Sequence, residues 1–393
     1  MSMILWLEFL LTFSILMLAA RKSLWLALFL SALFLGLLSV PFPELSVIVS
    51  NTLLDPSVLL LAVSVGLIAI LGGSMEMTGL IDDLMSNTSL RRRPALIVLP
   101  GLLGMLPIPG GALLSAPIVA RAAPDAEKGT KASVNVWSRH LAVLFYPLGT
   151  LLATTKMAGL DLYTEILYLS PGLILTIVMI WIFFLGKVED GRISGGERKR
   201  MKAFVPVSVI LTAPIIHVSL MYLFPGIIPE LFLLIGVSSA LVLVLVVKGE
   251  GAAHVILSAR RMRAQNFVLI ILGMFVFLEV FNASDVPEVI RSLPLSRPLL
   301  IVFAGSVLGA VTGRVNVPVS VMLPVLGAST MDYTTFSILF FSIFIGYLMS
   351  PVHPCVSVSL EYFRTDYSSM LRSSALPALV MLAAVLVVSL ILL

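Results

Sequence analysis

The chain has 393 residues, 59% of them hydrophobic and only 12% charged, with a mean hydropathy of +1.10 and a formal net charge of +4. That excludes a soluble globular domain, which carries about twice the share of charged residues. A pI near 9.2 would suit nucleic acid, but the basic residues sit in short loops between apolar runs, where they orient a membrane protein, and no nucleic-acid partner is expected.

In chain order the apolar runs cover 3–20, 23–40, 56–79, 94–122, 132–160, 164–186, 204–224, 228–247, 266–282, 298–326, 334–363 and 375–392. Most approach the roughly 20 residues that span a bilayer. The first contains Glu8 and follows no basic stretch, so it reads as a retained helix and not a cleaved leader. The single cysteine, Cys355, excludes an internal disulfide. Residues 94–122 and 298–326 differ from the rest: their centres read MLPIPGGAL and VTGRVNVPVS. Pro and Gly break a helix, and the freed backbone groups must be satisfied by protein or water. A hairpin that enters and leaves on one side fits better than a long span. The polar stretch 186–202 is the one clear linker, and ILSARRMRAQ (256–265) reads either as an amphipathic helix on the inner leaflet or as an elbow between helices.

The two halves repeat. Arg93-Pro94 returns as Arg297-Pro298, Gly101 as Gly305, Pro147 as Pro351 and Tyr163 as Tyr367, each 204 positions on. Taking 94–122 and 298–326 as re-entrant hairpins leaves five spans per half, an odd number that inverts the second half. With the N-terminus outside, 20 of the 25 Lys and Arg then lie in cytoplasmic loops, a strong positive-inside bias. The expected fold is therefore an all-α polytopic membrane protein, an inverted repeat of five transmembrane helices plus one re-entrant hairpin per half. Its units are 1–186, a cytoplasmic linker 187–203, and 204–393.

This arrangement resembles the ion-transporter superfamily of inverted-repeat secondary carriers, and LPIPGGALLSAPIV, NVWSRH and SPVHPC are most similar to an integral membrane family known only by its domain of unknown function (DUF401-type). The resemblance implies an elevator-like or rocking carrier in the cell (plasma) membrane, a homodimer, often coupled to Na⁺ or H⁺. The substrate does not transfer, because the Ser-Asn-Thr hairpin tips of the dicarboxylate symporters are replaced here by Pro107–Gly111 and Gly313–Pro318.

Four breaks should converge at mid-membrane: the two tips, Tyr146–Thr150 and Ser350–Pro354. Broken helices expose carbonyls for a cation and helix N-termini for an anion. Arg314 is the most unusual residue, because an uncompensated charge at the centre of an apolar hairpin costs at least about 2.5–3.5 kcal/mol. Either an anionic solute compensates it, with Asn316 beside it, or it faces water in a vestibule. Arg139, with Asn135 one turn before it and His140 after it, has no counterpart in the other half; it could recognise substrate, cap the first hairpin or pair with Glu76. His353, between two prolines, could bind substrate or be a structural hydrogen bonder. The expected substrate contacts are thus Arg314, Asn316, Arg139, Asn135, His353, Gly110, Gly111 and Thr150. Those for a coupling ion are Pro109, Tyr146, Gly149, Gly313, Ser350 and the near-equivalent carboxylates Glu76 and Glu279.

No cofactor or resident metal is expected beyond a possible Na⁺ as coupling ion; the partners are a small anionic solute and the bilayer. The alternative is a cation/proton antiporter working through Glu76 or Glu279, against which the two arginines count. No H-E-x-x-H, G-x-S-x-G or phosphate-binding loop occurs, so an intramembrane enzyme or a primary pump is disfavoured. A channel or a scaffold stays open.

Overall fold

The computed structural model describes residues 2–20, 22–87, 90–105, 111–186, 188–189, 191, 200–224, 226–291, 295–327 and 331–393. The first half runs α1 (Ser2–Ala20), α2 (Leu24–Ser39), α3 (Phe42–Leu54), α4 (Pro56–Met77) and α5 (Leu80–Asn87). It continues with α6 (Arg92–Gly104), α7 (Gly111–Ala122), α8 (Lys128–His140), α9 (Thr150–Met157) and α10 (Leu162–Met179), the last extended by a π-helical turn, Ile180–Leu185. The second half takes the same order: α11 (Arg200–Leu223), α12 (Pro229–Lys248), α13 (Ala252–Met262), α14 (Ala264–Ala283) and α15 (Val286–Arg291). There follow α16 (Arg297–Leu299), a π turn Leu300–Ala304, α17 (Gly305–Thr312), α18 (Asn316–Leu326), α19 (Tyr333–Leu348), α20 (Pro354–Phe363) and α21 (Tyr367–Leu392).

Six helices among the described residues are long and apolar enough to cross a membrane, namely α4, α10 with its π turn, α11 from Phe204, α12, α14 and α21. The chain is an all-α polytopic membrane protein. Helix starts are written locally: Asp161, Asp332 and Asp366 each accept a hydrogen bond from the backbone N–H three residues on, at 2.7–2.8 Å, satisfying donors a helix N-terminus leaves free. Pro56, Pro229 and Pro354 occupy first-turn positions, where the missing N–H costs nothing.

The helices sort into two bodies. One holds α1–α5 with α11–α15, centred on α4 packed against α14; α2 lies on α14 as α12 lies on α4, and α3 on α14 as α13 on α4. The other holds α6–α10 with α16–α21, in which α6 and α21 clasp α8 while α17 and α10 clasp α19. Their main mutual packing runs through α18 and α9 onto α14 and α15. The arms α6 and α7 pack on one another, as do α17 and α18.

Candidate functional site

The core of the second body is polar where a membrane core should be apolar. In α8, every residue from Ala132 to His140 is buried, including Ser133, Asn135, Ser138, Arg139 and His140. The helix ends there because Leu141–Leu144 tighten into a 3₁₀ turn and the chain runs irregularly to Thr150, where α9 restarts. In the other half α19 stops at Leu348, and α20 restarts at Pro354. Both breaks lie within the runs 132–160 and 334–363, as the sequence predicts.

Two glycines permit this packing. A Cβ on Gly104 would collide with the main-chain carbonyl of Arg139, so α6 reaches α8 only because that atom is missing. Gly313 ends α17 at φ 59°, and a Cβ there would lie 3.0 Å from both His353 N and Ser350 Oγ. The second tip therefore seats directly on the break at 350–353. Beyond the glycine, Thr312 Oγ1 donates to Arg314 O at 3.1 Å and accepts from Arg314 N at 3.3 Å, fixing the arginine's backbone.

A cavity of about 340 Å³ opens where these elements meet the first body. Its polar lining is Arg139, His140, Tyr146, Thr150, Arg314, Asn316, Tyr347 and Cys355, all from the second body. Among the described residues, the first body supplies only Leu24, Val65, Ile68, Phe267, Ile270 and Ile271. Behind the lining, Tyr347 stacks on His353 with ring centres 4.1 Å apart, and His140 meets His353 edge-on at 4.6 Å. Asn316 Oδ1, Ser350 Oγ and His353 Nδ1 are buried with no protein partner. Each such group costs about 1–3 kcal/mol unless a solute or water pairs with it; Asn316 lines the cavity together with Arg139 and Arg314, so the cavity suits something polar.

The structure brings together Arg139, Arg314, Asn316, Tyr146, Gly149 and Thr150 around the cavity, with Gly313, Ser350 and His353 against one another at its edge. Gly111 is the first residue of α7; Pro109 and Gly110 lie outside the described residues. Three expectations are corrected. Asn135 does not line the cavity: its Nδ2 donates to Ala112 O at 3.0 Å and Ser359 Oγ at 2.9 Å, tying α7, α8 and α20 together. Glu76 lies in the last turn of α4, paired with Arg261 at 2.8 Å and remote from Arg139's surroundings. Glu279 sits on an exposed face of α14, away from the cavity lining. Sequence reasoning missed Tyr347 and Cys355, although Cys355 falls within the SPVHPC stretch.

The Asn135 geometry makes a prediction of its own. Asn135→Ala should lower stability by about 1–3 kcal/mol, since it removes the two buried hydrogen bonds that tie α7 and α20 to α8, yet leave ligand affinity unchanged. Thermal melting with and without ligand checks both halves.

A family model described as "Protein of unknown function (DUF401)" matches residues 3–392. The chain belongs to that family. No curated protein matches it in sequence. Among solved structures, the crystal structure of the YdaH transporter of Alcanivorax borkumensis is similar to it with a TM-score of 0.61 at 13% identity, covering 93% of this chain and 95% of that one. At that identity the likeness concerns the fold, and it extends over both bodies.

Proposed function

We propose that this DUF401 protein is a secondary active transporter of a small organic or inorganic anion, coupled to Na⁺ or H⁺. One observation carries the reading: among the described residues, the polar side chains that line the cavity belong to one helix body and face an apolar wall presented by the other. A polar solute held by Arg139, Arg314 and Asn316 could travel with its body across that wall without changing its contacts, which is elevator-like alternating access. Carriers of this type build their sites from broken helices at repeat interfaces, and the transporter fold of the structural neighbour agrees with that. The second reading, a cation/proton antiporter, is disfavoured by two arginines and no carboxylate among the described residues of the cavity lining.

The two-fold exchange of packing partners, α2 on α14 against α12 on α4, supports an inverted repeat of 1–186 and 204–393 joined at 187–203, with re-entrant hairpins 94–122 and 298–326. By analogy with such carriers we place it in the plasma membrane as a homodimer. In a Cys355→Ser background, Asp125→Cys should react with an impermeant thiol reagent only in permeabilised cells, whereas Asp285→Cys should react in intact ones. The reverse pattern would contradict the orientation.

Movement also requires cross-body contacts to break. Lys156 after the first break pairs with Glu230 of α12 at 2.8 Å and donates to Ser57 Oγ at 2.7 Å; Tyr163 of α10 bonds His217 Nδ1 of α11 at 2.7 Å. Glu230→Gln should loosen this latch and speed exchange of counter-transported solute while leaving equilibrium affinity within about twofold, since Glu230 lies outside the cavity lining. Initial-rate and equilibrium-binding measurements on reconstituted protein distinguish the two effects. The proposal itself is tested by concentrative, ionophore-sensitive anion uptake into proteoliposomes.

A further inference from the structure

We propose that His140, His353 and Cys355 form a binding site for one thiophilic divalent ion of the Zn²⁺ class, in the cavity wall, with a fourth coordination position open to the cavity. The inference goes beyond anion transport and does not depend on it. One donor atom from each of the three residues lies within 4.8 Å of the others. They come from the end of α8 and from the His353-Pro354-Cys355 start of α20, two strands of sequence that meet only through folding.

Two further observations point to a ligand. His140 Nδ1 lies 2.6 Å from Val136 O; a carbonyl only accepts, so Nδ1 carries the hydrogen and Nε2 keeps its lone pair. That is the arrangement by which a backbone carbonyl orients a metal-binding imidazole. His353 is 2% exposed, and its Nδ1 is buried with no partner, while the stack on Tyr347 holds its ring in place. His140 Nε2 and the buried His353 Nδ1 are therefore the nitrogens left to a ligand.

The donor set selects the ion. Two nitrogens and a sulfur with no carboxylate suit Zn²⁺ and related borderline ions and not Ca²⁺ or Mg²⁺, which take oxygen. Around tetrahedral zinc such donors stand about 3.3–3.7 Å apart, so the cluster, whose donor atoms lie within 4.8 Å of one another, must close by about 1 Å, which rotation of the Cys355 side chain and small movements of the two rings would supply. The nearby arginines oppose a cation, but the ion displaces the thiol proton, so the net charge rises by one and not two. Arg139 lines the cavity together with Cys355, and its guanidinium would offset the thiolate. Three protein ligands leave a position for water or an anion, as in open zinc sites.

The test uses tag-free, chelator-stripped full-length protein in detergent, titrated with Co²⁺ and then Zn²⁺. Expected are one ion per chain, tetrahedral cobalt bands with a thiolate-to-metal charge-transfer band, and displacement by Zn²⁺. Cys355→Ser should lose the charge-transfer band, and His140→Gln and His353→Gln should each weaken binding. Should a variant fail to fold, the wild type still reports: Cys355 is the one cysteine, so Zn²⁺ must slow its alkylation by a cavity-sized thiol reagent. Absence of stoichiometric binding, equal binding by Cys355→Ser, or alkylation indifferent to Zn²⁺ would overturn the site. Anion-dependent melting of the stripped protein reads the transport proposal separately.

Discussion

Replacing Arg314 by glutamine should reduce anion affinity and transport by roughly 100-fold while the protein folds and melts near wild type. The size follows from losing charge-assisted hydrogen bonds to a solute in a low-dielectric cavity, worth about 3 kcal/mol, with each 1.4 kcal/mol counting tenfold. The small effect on stability follows from its setting. Arg314 sits at a tip whose backbone is held by Thr312 and Gly313, so the fold does not rest on its guanidinium. Glutamine keeps hydrogen-bonding capacity and removes only the charge. Equilibrium binding and initial uptake rates on one preparation measure both quantities, and normal transport by R314Q would refute the role.

The second large effect concerns a residue with no side chain. Gly104→Val should destabilise the second body by at least about 1–3 kcal/mol, the usual cost of overpacking a filled interior, and should also impair ligand binding. The added Cβ meets the carbonyl of Arg139; backbone cannot rotate away as a side chain can. Relief requires α6 to separate from α8, which displaces Arg139 and Met105 from the cavity lining. Gly79, at φ 73° with open space around it, is the control for a close-contact effect: Gly79→Asn should alter melting little. Loss of monodisperse protein in the first and not the second, on size exclusion and thermal melting, checks the argument.

Much of this architecture is legible in the sequence because a membrane forces apolar runs and loop charge to declare themselves. The 204-residue offset and the Gly/Pro interruptions located both breaks, and Arg314 announced itself as a charge in an apolar hairpin. Helices α3, α5 and α15 were not legible. Their 13, 8 and 6 residues are too short to span, and Glu44, Asp82, Asp83 and Glu288 interrupt their apolar pattern. The carboxylates misled for a related reason. Hydropathy places Glu76 near an apolar run but cannot see that its helix ends beside Arg261, a partner 185 positions away. Asn135 misled because a buried amide looks the same in sequence whether it faces a solute or ties Ala112 and Ser359 together. Tyr347 and Cys355 were missed because their position follows from the seating of one tip on one break, a tertiary fact that no local pattern encodes.

The central claim is that the cavity holds an anion through its arginines. Thermal melting of purified wild type and R314Q, across carboxylates and inorganic oxyanions at constant ionic strength and with Na⁺ and pH varied separately, tests it most directly. At least one anion should raise the wild-type melting temperature in a saturable way and leave R314Q unmoved. Stabilisation by Na⁺ or by pH alone, equal in both proteins and indifferent to every anion, would contradict it and favour the cation/proton antiporter.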